Sequence, residues 1–253
     1  MGVVNVTPDS FSADGTLDRE RAIAHGLQLL RDGADLLDVG GEATNPRATP
    51  VDADEEIRRV VPVIRALAAA GARVSVDTTK AVVARAAVAA GATLVNDVSG
   101  GLFDEAMAPA IRELDVTYIA GHLRGRSLAE VFAAEDAPTW REVAAELAER
   151  VAGLSPARVW IDPGLGFGKG ADPEGNLDLL RHAGDLGRAV GRPVVVGPSR
   201  KRFLRRLVGD TDLLALDAAT VAACLGAVTA GAQVLRVHNV ALLRAALAVY
   251  TRL

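Results

Sequence analysis

The sequence contains little cysteine, few aromatic residues and no excess of basic charge. A single cysteine, Cys224, among 253 residues excludes an intramolecular disulfide and any metal site built from several cysteines. This usage is typical of a reducing compartment, and we expect a cytoplasmic protein. Aromatic residues make up 4% of the chain, and 28 Lys and Arg are outnumbered by 32 Asp and Glu. The sequence therefore lacks the basic, aromatic-interleaved signature of nucleic-acid binding.

Long hydrophobic runs are also missing. Charged residues or glycine interrupt the apolar stretches before they reach the roughly 20 residues of a membrane span. The N-terminus has no charged lead followed by an apolar signal core. We therefore expect neither a membrane partner nor an export signal. Half of the residues are nonetheless hydrophobic, which predicts a large buried core.

Short β-rich runs alternate with Ala-rich amphipathic stretches along the whole chain. Such alternation predicts parallel strands, each followed by a helix. Runs of Val, Leu and Ile without strict alternation are typical of parallel strands covered by helices. The predicted strands are MGVVNV (1–6), DLLDVGG (35–41), RVSVDT (73–78), TLVNDV (93–98), VTYIAGH (116–122), RVWIDPG (158–164), PVVVGPS (193–199) and VLRVHN (234–239).

Eight strand and helix units in 253 residues predict an α/β fold, a single (β/α)8 TIM barrel, because that barrel takes roughly 250 residues. No linker rich in Gly, Ser or Pro divides the chain, and we assign one domain over residues 1–253. An open doubly wound sheet has the same local pattern. Against it, no GxGxxG motif follows the first strand.

Polar residues gather at the carboxyl ends of the predicted strands, which is the active-site face of a parallel barrel. Any one of them has an alternative explanation as a helix cap, but eight strands ending in this way indicate a site. Asp38 is the exception, because it precedes Gly40 and Gly41 and is equally suited to bracing that turn. The polar strand-end residues are Asn5, Asp38, Asp77, Asn96, Asp97, His122, Asp162, Ser199, Arg236 and His238.

These side chains divide into sets with different chemistry. Asp77, Asn96 and Asp162 offer two carboxylates and an amide to a flat heterocycle with N–H groups along one edge, and Lys201 is placed to donate to a ring carbonyl. Cationic residues near the ends of the last two strands predict a phosphate site. They are Arg200, Arg202, Arg236 and His238. The neutral oxygen of Asn5 is suited to Mg²⁺ that also binds substrate phosphates.

Over its whole length the chain resembles the dihydropteroate synthase family, the pterin-binding barrels. The joint order and spacing of eight short motifs carry the resemblance, and the first is the most diagnostic. The motifs are NVTPDSFS (5–12), DVGGEAT (38–44), SVDTTK (75–80), NDVSGG (96–101), HLRG (122–125), DPGLGFGK (162–169), SRKRF (199–203) and RVHNV (236–240).

The resemblance implies condensation of 6-hydroxymethyl-7,8-dihydropterin pyrophosphate with p-aminobenzoate, giving 7,8-dihydropteroate and pyrophosphate for folate biosynthesis. It implies small-molecule substrates, Mg²⁺ as cofactor and a homodimer. The pterin is expected to bind Asp77, Asn96, Asp162 and Lys201, and the pyrophosphate to bind Arg236, His238 and, through Mg²⁺, Asn5. The expected neighbours of p-aminobenzoate are Phe11, Pro46, Phe167, Lys201 and Arg202.

The chain departs from the family pattern in its top loops. Thr44 and Pro46 flank Asn45 where the family has arginine, and Arg47 stands where glycine is usual. We expect Arg47 to supply the missing positive charge to the pyrophosphate. Asn239 replaces the aspartate that usually follows the histidine of the last motif. Two alternatives to an active synthase stay open: a catalytically weak paralogue that binds pterin, and a pterin-dependent methyltransferase.

Overall fold

The computed structural model describes residues 1–6, 15–45, 49–134 and 136–253, and the side chains of residues 15–18 are not described. Each predicted run contains a strand, although every strand is shorter than its run because the outer residues belong to loops. The strands are β1 (Gly2–Asn5), β2 (Leu37–Gly40), β3 (Val74–Asp77), β4 (Leu94–Asp97), β5 (Thr117–Gly121), β6 (Val159–Asp162), β7 (Val195–Val196) and β8 (Val234–Leu235).

The strands form a closed parallel barrel. Strands β1 to β6 pair in sequence order, and β7 pairs with β8. A parallel bridge between Ile161 and Val194 joins β6 to β7, and one between Gly2 and Val237 joins β8 to β1. Backbone hydrogen bonds of 3.1 Å from Val3 to Val237 and 3.0 Å from Val237 to Met1 close the circle. The predicted (β/α)8 barrel is confirmed, and the doubly wound alternative is wrong.

Helices surround the barrel. The connections after β5, β6 and β7 each hold two of them. In the described ranges the helices are α1 (Gly15–Arg31), α2 (Ala53–Ala69), α3 (Ala81–Ala89), α4 (Met107–Glu113), α5 (Leu128–Ala133), α6 (Trp140–Val151), α7 (Glu174–Arg181), α8 (Ala183–Val190), α9 (Arg202–Val208), α10 (Leu213–Thr229) and α11 (Val240–Tyr250).

Glycine ends several of these helices at a left-handed position. After α2, Gly71 has φ of 86°, and the next amide, that of Ala72, donates to the Leu67 carbonyl at 3.1 Å. This is the hydrogen bond of a Schellman cap. The Gly-Ala pairs at 33–34, 91–92 and 231–232 repeat the arrangement, with φ between 94° and 113° at each glycine. The caps turn each helix directly into the next strand.

The core has two parts. A large cluster lies between the outward-facing strand residues and the helices, and it includes the buried Cys224. A small cluster fills the interior of the barrel at its lower end. Among the described residues, no single helix is both long and apolar enough to cross a membrane. The inner cluster consists of Met1, Leu36, Leu94, Ile119 and Val195, with Trp160 and Val234 packed against it.

Candidate active site

The site is the polar layer directly above the inner apolar cluster. Side chains of a strand alternate between its two faces, so the residue two positions after an inward-facing one also points into the barrel. Leu36 is thus followed inward by Asp38, Leu94 by Asn96, and Val234 by Arg236. Trp160 is followed in the same way by Asp162. The barrel interior is closed by apolar side chains below and presents charged and amide groups above them.

Arg236 joins the cationic and acidic parts of this layer. Its Nε donates to Asp38 Oδ2 at 2.5 Å, and its Nη2 donates to Asp77 Oδ2 at 2.6 Å. Asn96 Nδ2 donates to the same Asp38 oxygen at 2.9 Å. Asp38 is fully buried, and its Oδ1 has no hydrogen-bond partner among the described residues. Asp38 therefore organises the site from beneath instead of bracing the turn at Gly40.

The buried charges influence one another. Burial raises the pKa of Asp77 to about 7, an effect that the Arg236 charge opposes and the Asp38 carboxylate reinforces. Burial alone would lower the pKa of Arg236, but Asp38 and Asp77 outweigh it, and the pKa is raised. Arg236 is thus a permanent cation at the base of the site. Asp77 is an acceptor whose charge is easily lost.

The loop after β6 and the start of α9 form a second wall. Asp162 ends β6, and its Oδ1 accepts a hydrogen bond from the Gly164 amide at 2.7 Å. Lys201 Nζ lies 4.6 Å from the centre of the Phe167 ring and donates to the Leu165 carbonyl. Burial lowers the pKa of Lys201 to about 8, although Asp162 opposes the shift. The wall therefore combines an aromatic face with an ammonium group that is charged at neutral pH.

His238 and Ser199 meet across the ends of β7 and β8. Ser199 Oγ and His238 Nδ1 are 2.9 Å apart, and the His238 amide donates to the same oxygen at 3.1 Å. Burial lowers the pKa of His238 to about 4, and the charges of Arg200 and Arg236 add to the effect. The imidazole is therefore neutral at neutral pH. An anion bound beside it would favour its protonation.

Sequence reasoning missed one buried group, Lys169, because the Gly-rich motif drew attention to the backbone. Its ammonium donates to the Phe167 carbonyl at 2.8 Å and lies 3.1 Å from His122 Nδ1. His122 Nε2 is in turn 2.9 Å from Glu146 Oε2 on α6. Burial lowers the pKa of Lys169 to about 7 and that of His122 to about 2. These contacts attach the loop that carries Phe167 to β5.

This burial predicts a pH dependence of stability. Between pH 7 and 10.5 unfolded Lys169 retains a proton that the folded side chain releases, so the free energy of unfolding rises with pH by up to about 1.4 kcal/mol per unit. We expect Lys169→Met to remove this slope in urea unfolding between pH 7 and 9.5. Lys80→Met is the control, because hydrogen bonds to Glu42 and Glu56 raise the pKa of Lys80 despite its burial. Equal slopes in the parent and Lys169→Met would contradict the prediction.

Two other predicted site residues, Asn5 and Arg202, are exposed. Asn5 is exposed at the carboxyl end of β1, whose neighbour in the barrel is β8. Arg202 begins α9 and is exposed beside a cavity lined also by Phe132, Phe203 and Gly168. The predicted contacts of Phe11, Pro46 and Arg47 lie outside the described residues.

Two strand-end residues and one cation have structural partners. The Asp97 carboxylate accepts hydrogen bonds from Ser99, Gly101 and the Tyr118 hydroxyl, so it holds the turn after β4. The buried His122 is occupied by Lys169 and Glu146. Arg200, predicted in the phosphate set, instead forms an ion pair with Asp217 through Nε at 2.7 Å and Nη2 at 2.9 Å.

Comparison with known proteins identifies the family. Residues 1–238 match the model of the pterin binding enzyme family. A Mycobacterium leprae dihydropteroate synthase is 43% identical over 255 residues, covering 95% of this chain and 88% of that protein. The chain belongs to the dihydropteroate synthase family. The predicted family and the predicted dihydropteroate synthase function are therefore confirmed. The predicted enzyme class, a transferase of folate biosynthesis, is confirmed with them.

Solved structures of dihydropteroate synthases share the barrel. The Xanthomonas albilineans enzyme with 4-aminobenzoic acid superposes with a TM-score of 0.88 at 44% identity, covering 100% of this chain and 91% of that one. The same enzyme in complex with 7,8-dihydropteroate gives a TM-score of 0.85 at 43% identity, covering 100% and 92%. The architecture is thus that of proteins solved with a substrate and a product of the reaction.

Proposed function

We propose that the polar layer binds the pterin ring of 6-hydroxymethyl-7,8-dihydropterin pyrophosphate and that the ends of β7 and β8 bind its pyrophosphate. The observation that carries this proposal is the position of Arg236, bonded to Asp38 and Asp77 and adjacent to His238. It connects the acidic and amide groups of the polar layer to the cationic groups at the ends of β7 and β8. A molecule with an N–H-rich ring and a diphosphate matches both parts.

The hydrogen bonds determine what each group offers the ring. Asn96 donates its Nδ2 to Asp38, which leaves Oδ1 as an acceptor for a ring N–H. The carboxylates of Asp77 and Asp162 accept from further ring nitrogens, and Lys201 donates to the ring carbonyl. Buried polar groups that stay unpaired cost free energy. The site therefore selects a heterocycle with this order of donors and acceptors.

Mg²⁺ fits the phosphate end of the site. Asn5 presents a neutral amide oxygen at the exposed end of β1, next to the strand that carries Arg236 and His238. Mg²⁺ commonly uses few protein ligands and completes its shell with substrate phosphates and water. We propose that Asn5 holds the ion, which would neutralise charge on the departing pyrophosphate.

The reaction needs no covalent enzyme nucleophile. The bond between the pterin methylene and the pyrophosphate oxygen breaks, and both electrons leave with the pyrophosphate. Arg236 and a protonated His238 stabilise the released charge. The amine of p-aminobenzoate then attacks the cation-like methylene, forms the C–N bond and loses a proton to water. Catalysis arises from electrostatic stabilisation and positioning.

The aromatic wall is suited to p-aminobenzoate. Phe167 offers a ring face, and the ammonium of Lys201 lies over the same ring. Arg202, exposed at the start of α9, is proposed to meet the carboxylate. The resemblance implies that Phe11 and Pro46 contribute to this pocket. Because the family's loop arginine is absent at Asn45, we further propose that Arg47 supplies its charge to the pyrophosphate.

A pyrophosphate-release assay tests the function. With the pterin pyrophosphate and Mg²⁺, an active synthase releases pyrophosphate in a p-aminobenzoate-dependent manner and forms dihydropteroate. Tight binding of a pterin analogue with no condensation would favour the weak paralogue, and methyl transfer to or from a reduced pterin would favour the methyltransferase. Including Arg47→Ala and Asn45→Arg in the assay tests whether Arg47 supplies the loop charge.

We predict that Asp162→Asn weakens pterin binding, because an amide presents one acceptor and a mismatched donor to ring N–H groups. The unpaired groups cost about 1–3 kcal/mol, or roughly a tenfold to hundredfold rise in Kd. Calorimetry with a pterin analogue measures it. Asp172→Asn, at an exposed position in the loop after β6, is the matched control. Equal affinity of Asp162→Asn and the parent would remove Asp162 from the pocket.

We also propose a cytoplasmic homodimer. The single, buried Cys224 is consistent with a reducing compartment.

Exposed apolar side chains on α9, α10 and α11 offer a dimer surface. Sedimentation of the parent and of Leu214→Glu, at an exposed position on α10, tests it; a monomeric parent would refute the dimer. The exposed side chains are Leu207, Val208, Leu213, Leu214 and Val249.

A further inference from the structure

Arg200 has an unusual backbone. Among the described residues it is the only non-glycine residue with a positive φ, at 60°. A side chain in this left-handed region costs free energy, and it persists where surrounding contacts enforce it. Here the contacts are evident: the Arg200 amide donates to Thr220 Oγ1 at 3.2 Å, and its guanidinium binds both oxygens of Asp217.

Arg200 separates two residues that the proposed function places in the site. Ser199, immediately before it, contacts His238 through its hydroxyl. Lys201, immediately after it, lies over Phe167. The left-handed turn at Arg200 therefore directs Ser199 toward His238 in the phosphate part of the site and Lys201 toward Phe167 in the aromatic part.

Asp217 extends the connection to β8. This carboxylate is 4% exposed, and its Oδ2 also accepts a hydrogen bond from Asn239 Nδ2 at 3.0 Å. Asn239 directly follows His238, and its Oδ1 caps α11 by accepting from the Leu242 amide at 3.1 Å. The amide side chain thus performs two tasks, since it both donates to Asp217 and caps the helix. An aspartate at position 239 would lack the N–H that Asn239 donates to Asp217.

We propose that Arg200 is a positioning residue, and that its ion pair with Asp217, together with Asn239, clamps the loops after β7 and β8 so that His238 and Lys201 engage one substrate. The clamp does not touch substrate. It rests on the proposed roles of His238 and Lys201, and it adds a contribution from α10, which lies outside the barrel rim. The clamp holds the loops after β7 and β8 together, as the hydrogen bonds between Ser199 and His238 also do.

Kinetics of three variants test the clamp. Arg200→Met removes the guanidinium and keeps the strained backbone, whereas Arg200→Gly removes the guanidinium and relieves the strain. Both are expected to lower kcat/KM by about a hundredfold, as for a displacement of about 1 Å in a site. Parental kinetics of Arg200→Gly would overturn the proposal, because the side chain would then serve only to hold its own backbone.

A double variant, the third of the set, separates positioning from stability. Arg200→Met alone leaves Asp217 as an uncompensated buried charge, which destabilises the fold. Arg200→Met combined with Asp217→Leu removes both charges, so we expect thermal stability to recover while kcat/KM stays low. Recovery of parental kcat/KM in the double variant would overturn the clamp. Arg188→Met, which breaks the exposed Arg188–Asp185 pair, is the control and is expected to change neither.

Histidine NMR gives a readout independent of turnover. The Arg200 charge contributes to the low pKa of His238, so the titration midpoint of its ring should move upward in Arg200→Met. An unchanged His238 titration would overturn the clamp even if the parent is an active synthase. Conversely, an inactive parent with the expected His238 shift would retain the clamp and refute the proposed function.

Discussion

Replacing Lys201 with methionine is expected to lower kcat/KM by about a hundredfold or more. Methionine keeps much of the apolar stem but removes the ammonium, which we assign to the pterin carbonyl and to the neighbourhood of p-aminobenzoate. A hydrogen bond from a charged group is worth about 1.5–3 kcal/mol, so removing each such bond changes the rate by roughly tenfold to a hundredfold. Because both substrates are affected, KM should rise for each of them in steady-state assays of pyrophosphate release.

The control for this prediction is Arg205→Met, which removes an exposed cation from the same helix, α9. We expect its kinetics to match those of the parent. A rise in KM confined to p-aminobenzoate in Lys201→Met would assign the ammonium to the aromatic subsite alone. Parental values for both substrates would place Lys201 outside the active site.

The barrel could be predicted because its signals are local. Each predicted run contains the strand that the structure shows, and Gly-Ala pairs, which are visible in the sequence, end four of the helices. Strand ends were harder to predict. The outer residues of a run, such as Pro193 and Ser199 around β7, lie in loops, because the apolar core of the run marks a strand more clearly than its ends do. Because the strands are short, more residues of each motif lie in the loops that form the candidate site.

The grouping of polar side chains in one layer was also predictable, but the contacts among them were not. Strand polarity and the period of two put Asp77, Asn96, Asp162 and Arg236 at one end of the barrel. Sequence patterns left Asp38 to a turn and did not pair it with Arg236, because no local pattern shows that these two residues, 198 positions apart, share a hydrogen bond. Strand β8 closes beside β1, and only this closure brings them together.

The role of Arg200 could not be predicted either, because its partner lies on another element of the chain. The SRKRF motif presents a run of cations that is typical of a phosphate site, whereas Asp217 lies 17 positions later on α10 and neutralises Arg200. A buried acidic residue on an otherwise apolar helix was the available signal. In α10 that residue is Asp217, and it needed a partner because buried carboxylates are rarely unpaired.

Asp38→Asn is expected to impair both stability and activity. Asp38 Oδ2 accepts from Arg236 Nε and from Asn96 Nδ2, and Asp38 is fully buried. Asparagine offers a single neutral oxygen and adds two donors, so the Arg236 charge loses its fully buried partner. Removing one member of a buried ion pair costs about 3–5 kcal/mol, although Asp77 still binds Arg236. We therefore expect the free energy of unfolding to fall by about 3 kcal/mol in urea titrations.

Activity should fall further than partial unfolding explains. Without the Asp38 carboxylate, the guanidinium of Arg236 and the amide of Asn96 lose the acceptor that they share, and a displacement of about 1 Å costs about a hundredfold in rate. The matched control is Asp35→Asn, since Asp35 pairs with Arg244 where both side chains are exposed, and such pairs contribute at most about 1 kcal/mol. Assays in conditions where Asp38→Asn is fully folded separate the two effects. If the folded variant turns over like Asp35→Asn, Asp38 supports the barrel without orienting the groups that bind substrate.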